Sequence, residues 1–430
     1  MKKITYIIIV FCVFVSNAQN QIPGEKQNES TLFQNAKIVT VTGEIIEKGH
    51  LGISQGIIDY IGTSAPEKQY INKINLNGKH IYPGFIALNS TLGLVEVDAV
   101  RASDDESEIG IFNPNIRSII AYNAESKIVE TMRMNGVLLA QVTPRGGVVS
   151  GSSSVVQLDA WNWEDAAIKT DEGIHVNWPS AYSRGSRWTP GPRTLSPSTT
   201  YLSNVERIKS VFHNAKNYLN DTNKEDLRLR SMQGLFNGSQ TLYLHLNNKR
   251  QIQDASSFFK SLGIEKVVLV GAREAHLIPE FLKEHNILVV AAHPHRLPSS
   301  EDADVKEAFN LGKKLDEAGV VFGIDVRGQM ERMNTRNLPF YAGSFVGHGL
   351  SYNTAVKSLT INAAMILGID DKYGSLEVGK SATFFVSEGD ALDMRTNIVH
   401  SAYIDGRELE LVTHQTKLRD KYLEKVERNN

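Results

Sequence analysis

The chain has 430 residues, 41% hydrophobic and 22% charged, a globular composition that excludes disordered, collagenous and disulfide-framework classes. Its 46 basic and 48 acidic side chains leave a formal charge of −2, so no basic surplus points to nucleic acid or an anionic membrane surface. The single cysteine, Cys12, lies in the first 18 residues.

Those 18 residues read as a secretory signal peptide: Lys2 and Lys3, an apolar run from Ile4 to Val15, then Ser16-Asn17-Ala18. The run is short for a bilayer span. Cleavage after Ala18 implies a secreted, periplasmic protein with no membrane span and no cysteine chemistry. Residues 19–31 are a polar, flexible leader. Short Ile- and Val-rich strands follow at 36–41, 45–47, 51–53, 57–61 and 80–81, with Asn77-Gly78 as a hairpin signal.

A strand is expected at Gly84–Ile86 and another at Val137–Val142. Residues 145–200 read as long irregular loops, holding Trp161, Trp163, Trp178 and Trp188 and a Gly/Ser/Pro-rich stretch. The second half alternates. Strands at 241–246, 266–270, 287–292 and 320–324 are continuous apolar runs. Between them lie helical stripes such as Ile252, Ala255, Phe258, Phe259 and Leu262. This is the pattern of parallel strands covered by helices. A helix over 355–367 and β signals at 374–379, 382–386 and 402–404 close the pattern. The last stretch, 417–428, is a charged helix with Leu418, Tyr422, Leu423 and Val426 on one face, expected to pack.

The segments Ala36–Ile61, Lys79–Ile86, Thr360–Gly368, Gly374–Ala382 and Ile404–Gly406 resemble the amidohydrolase superfamily, in its imidazolonepropionase-like secreted branch. The resemblance implies an α/β fold, a (β/α)8 TIM-type barrel over 83–368. It also implies a small composite β-sandwich domain from 32–82 and 369–412, and a C-terminal helix over 413–430. It further implies hydrolysis of carbon–nitrogen bonds other than peptide bonds by hydroxide bound to a divalent metal, zinc above all.

The family's first strand ends Pro-Gly-x-Ile-Asp-x-His-x-His; here it reads Pro83-Gly84-Phe85-Ile86-Ala87-Leu88-Asn89-Ser90-Thr91. Asn89 and Thr91 are poor zinc ligands. The fifth-strand histidine matches His245 and the eighth-strand aspartate, ligand and general base, matches Asp325. No sixth-strand histidine and no fourth-strand Lys or Glu is evident. The motif is degraded, leaving at most a mononuclear centre or no metal.

His293 and His295 end the seventh strand, and with His245 and Asp325 they make a candidate single-metal set. The alternative is a pair of exposed loop histidines. Arg145, in Thr143-Pro-Arg-Gly-Gly147, is a candidate carboxylate clamp. Asn89, Thr91 and Asn337 are candidate substrate contacts, and Asp98 with Arg101 reads as a surface pair. Other histidines, His175 among them, read as surface or satisfied core residues.

Two functions stand side by side. One is a hydrolase of small, cyclic or dipeptide-like amides with Asp325 as base and His245 as ligand or polarising group. The other is a catalytically inactive binding or partner subunit. The partner is then a small molecule, with a homo-oligomer or a paralogous amidohydrolase as the protein partner.

Overall fold

The structure is a computed structural model that describes residues 22–184, 195–219, 225–299, 303–328 and 330–428. The signal segment, Cys12 and Trp188 lie outside the described residues.

The chain ends build one sheet. Its N-terminal strands are β1 (Thr31–Ile38), β2 (Ile46–Ser54), β3 (Ile57–Gly62), β4 (Asn72–Asn75) and β5 (His80–Pro83). The barrel then runs through β6 (Phe85–Ser90), β7 (Val137–Val142), β8 (Val149–Gln157) and β9 (Ala167–Asn177). A small hairpin, β10 (Tyr182–Arg184) and β11 (Leu195–Pro197), precedes β12 (Thr241–Leu246), β13 (Val267–Gly271), β14 (Leu288–Ala292) and β15 (Phe322–Asp325). The chain returns to the sheet with β16 (Phe384–Ser387), β17 (Val399–Ile404) and β18 (Arg407–Glu408).

The sheet order is β18-β17-β16-β5-β1-β2-β3, with β4 also beside β1. Both chain ends contribute to it, which makes it the small composite β domain that was expected. β1 bulges between Phe33 and Ala36, with Asn35 in the left-handed region (φ 56°), and so pairs with β2, β4 and β5 along its length. In its core Phe384 stacks on Tyr403 at 4.8 Å, and Phe33 meets both rings edge-on at 5.2 Å.

The barrel closes in sequence order, β6-β7-β8-β9-β12-β13-β14-β15 and back to β6 through Asp325 and Leu88. It is a TIM-type barrel with one irregularity: β8 runs antiparallel to both β7 and β9. The link 143–148 between β7 and β8 is too short for a crossover to a parallel strand, which takes a dozen residues or more. Val149–Gln157 and Ala167–Asn177 thus form strands where loops were expected. Val149–Gln157 (VSGSSSVVQ) escapes a hydrophobic-run reading because five of its nine positions are Ser or Gly, although eight of the nine are buried.

In the second half, local chemistry and packing agree. The helix Lys249–Ser261 starts with a capping box, Asn248 and Gln251, and buries Ile252, Ala255 and Phe259 against the barrel. The helix Ile361–Leu367 plugs the amino end, where Ala363, Ile366 and Leu367 meet Ile86, Leu88, Leu139, Tyr243 and Val290. The lower interior is thus apolar, and the polar residues collect toward the carboxyl ends of the strands, the side from which barrels of this type present their sites.

Asp159 ties the parts together, accepting from Arg133 at 2.5 Å, from Arg407 at 3.0 Å and from Gly24 N at 2.9 Å. The terminal helix, His414–Arg428, does not pack: it buries no residue, and Tyr422, Leu423 and Val426 are exposed. Among the described residues no helix is long and apolar enough to cross a membrane.

Candidate functional site

The first strand ends on an unusual backbone. Asn89 sits at φ 54°, where the pairing of β6 with β7 shifts register between Ala87 and Ser90. Such a conformation is uncommon for a residue other than glycine, and it clusters at functional sites. It turns the Asn89 amide toward β15. There Asn89 Nδ2 donates to Asp325 Oδ1 at 2.9 Å, and Arg327 N donates to the same oxygen at 2.8 Å.

Arg145, on the link after β7, reaches into the same space. Its Nη1 donates to Asn89 Oδ1 at 2.8 Å and its Nη2 to Asn89 O at 2.7 Å. Nη2 also pairs with Glu331 Oε1 at 2.6 Å, on the short helix after β15. Thr91 Oγ1 donates to the same Glu331 oxygen at 2.9 Å. Asn89, Thr91, Arg145, Asp325 and Glu331 are all buried. Burial pushes the Asp325 carboxyl up to about 6, against the Arg327 N–H and Asn89 hydrogen bonds and the Arg145 charge, which pull it down.

A second polar chain runs down the opposite wall. His245 Nδ1 lies 3.3 Å from Arg327 Nη1 at the mouth, and His245 Nε2 lies 2.9 Å from His175 Nδ1. His175 Nε2 lies 2.8 Å from Ser153 Oγ, which donates to Glu172. Gln141 at 2.7 Å and Tyr243 at 2.8 Å also donate to Glu172. The His175 ring stacks on Tyr243 at 4.5 Å. Burial holds both imidazoles well below the usual range. The Arg145 and Arg327 charges add to this at each ring, as does the His175 ring at His245. Burial pushes the Glu172 carboxyl up, while its three donors pull it back.

Of the sequence candidates, Asn89, Thr91, Arg145 and Asp325 come together, with His245 joined to Asp325 through Arg327. His293 and His295 do not join them. β14 ends at Ala292, so these two lie on the following loop and flank Tyr341 instead, at 4.8 and 4.9 Å. His295 Nε2 meets Ser344 Oγ at 2.9 Å. With Asn337 they line a side cavity of about 410 Å³. Burial pushes the His293 imidazole down to about 4.

The proposed metal set of His245, Asp325, His293 and His295 is therefore not formed. No group of three or more His, Cys, Asp or Glu side chains converges as a metal site among the described residues. Asp98 pairs with Arg332 at 2.5 Å rather than with Arg101. Trp178 is buried and Trp161 is exposed, so these two wall no common pocket.

The donor chemistry explains why a metal does not fit. A guanidinium has no acceptor, so Arg145 must face Asn89 Oδ1, and the Asn89 NH2 must then face Asp325. The first-strand side chains thus present protons, not lone pairs, and a fixed cation already neutralises Glu331.

Sequence reasoning missed Gln141, Ser153, Glu172, His175 and Glu331. The one usable signal was the alternation Gly173-Ile-His175-Val-Asn177, which matches Tyr243-Leu-His245 and puts His175 on an inward face.

Comparison with known proteins supports the fold and the family. Residues 241–409 match the amidohydrolase family model. The imidazolonepropionase of Syntrophobacter fumaroxidans (strain DSM 10017 / MPOB) is 43% identical over 86 residues, 20% of this chain and 20% of that relative's length. An amidohydrolase from Thermotoga maritima MSB8 superposes with TM-score 0.76 at 23% identity, over 88% of this chain and 99% of that one. An adenosine deaminase from Xanthomonas campestris with bound zinc gives TM-score 0.54 at 13% identity, over 91% and 96%. Members of this superfamily usually hold a divalent metal. The second half of the chain thus matches the amidohydrolase family, a short segment is similar to an imidazolonepropionase, and the fold as a whole is that of amidohydrolase structures.

Proposed function

We propose that this barrel binds a small, carboxylate-bearing amide or dipeptide-like molecule at its mouth without the superfamily's metal-bound hydroxide. The observation that carries this reading is the Arg145–Asn89–Asp325 contact, in which a guanidinium and an amide NH2 stand where metal ligands would offer lone pairs. Arg327 is exposed beside half-buried His245 and offers a fork for an anionic group. The likeness to amidohydrolases and an imidazolonepropionase supports an amide-like ligand class.

Calorimetric titration with N-acyl amino acids and dipeptides, each beside its carboxyl-amidated analogue, tests the reading. Binding of the free carboxylates, about tenfold or more weaker in Arg327→Met, is expected. Equal affinity for carboxylate and amide, or turnover that depends on added zinc, contradicts it.

A second reading, hydrolysis with Asp325 as base, is favoured by that carboxyl's position near 6. It predicts metal-independent turnover that is lost in Asp325→Asn.

A further inference from the structure

The chain from the mouth to Glu172 has a direction, and the direction can be read link by link. It starts at the bottom. Asn89 N donates to Gln141 Oε1 at 3.0 Å, so the Gln141 NH2 is the end that faces Glu172. Glu172 then receives Gln141 and Ser153 on Oε1 and Tyr243 on Oε2. With its hydrogen on Glu172, Ser153 Oγ serves His175 Nε2 only as an acceptor, so that nitrogen carries the proton. His175 Nδ1 is therefore bare, and the contact at 2.9 Å requires a proton on His245 Nε2. That leaves His245 Nδ1 bare as well, facing Arg327 Nη1, a group that can only donate.

We propose that Ser153, His175 and Glu172 are positioning residues that hold His245 as the Nε2–H tautomer, with its Nδ1 lone pair turned to the barrel mouth. The face-on stacking of His175 against Tyr243, 5° from parallel, fixes the plane of the middle ring. The result is an acceptor of set direction beside a cation. A ligand that carries an N–H next to an anionic group matches the pair: the anion draws Arg327 to itself, and the N–H takes the His245 Nδ1 lone pair that Arg327 Nη1 holds in the free protein.

The one Ser153 hydrogen has Glu172 and, at 3.4 Å, Gly173 O as its acceptors, and either choice leaves Ser153 Oγ an acceptor toward His175. This tautomer assignment rests on the hydrogen bonds alone, and it holds or fails independently of the ligand class given above.

Histidine-¹⁵N-labelled full-length protein reports the tautomers directly through two-bond ¹H–¹⁵N correlations near pH 7. His175→Gln and His245→Gln assign the two rings. Both rings are expected as Nε2–H. Ser153→Ala removes the acceptor for His175 and is expected to move His175, and His245 with it, toward a mixture of tautomers. Glu172→Gln is expected to keep Nε2–H on both rings. Its carbonyl can still accept from Ser153 and Gln141 while its NH2 turns to the Tyr243 hydroxyl.

A residue that only fills space at Ser153 would leave the tautomers unchanged in Ser153→Ala, and that result overturns the proposal. Nδ1–H or imidazolium signals from His245 in the wild type overturn it too, as does reversal of the tautomers in Glu172→Gln. Because the wild-type spectrum alone decides the first point, the proposal stays testable if one variant fails to fold.

Discussion

The two halves of the barrel follow different rules. From β12 to β15 the chain alternates strand and helix in one direction, and this half carries the family match that begins at Thr241. From β6 to β9 the order is broken by an antiparallel strand and by the Arg145 link. The regular half supplies His245 and Asp325, the two residues that the sequence resemblance puts at ligand positions. The irregular half supplies Asn89, Arg145, Ser153, Glu172 and His175, which are the groups that occupy them. A half-barrel can thus keep its ligand-type side chains while the other half converts them to a proton-donor and cation network.

The strongest way to break this comparison is to remove the cation. Arg145→Met leaves Glu331 buried without its charge partner, a loss worth about 3–5 kcal/mol. Thermal or urea unfolding should show it, and Arg145→Met/Glu331→Gln should recover a large part. A loss below about 1 kcal/mol in the single variant would mean that the pair is not the fixed unit described here.

The two polar networks, one around Asp325 and one running from His245 through His175, also predict opposite responses to pH. Asp325 is raised from its ordinary value to about 6, so the folded state holds that proton more tightly than the unfolded chain. Its contribution favours the folded state below pH 4 and is lost as pH rises to about 6, by roughly 3 kcal/mol. His175 and His245 are lowered, so they favour the folded state above about 6.5 and lose that contribution as pH falls. Asp325→Asn should therefore steepen the rise of stability with pH between 4 and 6, and His245→Asn should flatten it. Unfolding curves across pH 4–8 read both slopes, and identical slopes in the two variants would contradict the assignment.

The smallest effect is expected at the side cavity. His293→Ala/His295→Ala removes rings that rest on Tyr341 and, for His293, on the Arg327 backbone, and should cost about 1 kcal/mol or less with no change in metal content.

Much of the regular half was legible in the sequence. The run Thr241–Leu246 and the stripe Ile252, Ala255, Phe259 carry their periods openly, because their apolar residues face one continuous core. His245 and Asp325 could be placed because the family resemblance marks a residue at or near the end of each such run. β8 and β9 were not legible, since a strand of Ser and Gly inside a barrel buries polar atoms that pair with one another rather than with apolar neighbours. The pairing of Arg145 with Glu331 spans 186 positions, and no local pattern reports a contact of that range. The apolar face of the terminal helix misled for the opposite reason: its period is helical, but none of the described residues covers it.

The central claim is that Arg145 and Asn89 stand where a metal would be held. Elemental analysis of full-length protein, saturated with zinc or manganese and then desalted, tests it most directly. The account predicts metal far below one equivalent in the wild type and no difference in Asp325→Ala. Stoichiometric metal in the wild type that disappears in Asp325→Ala would contradict it.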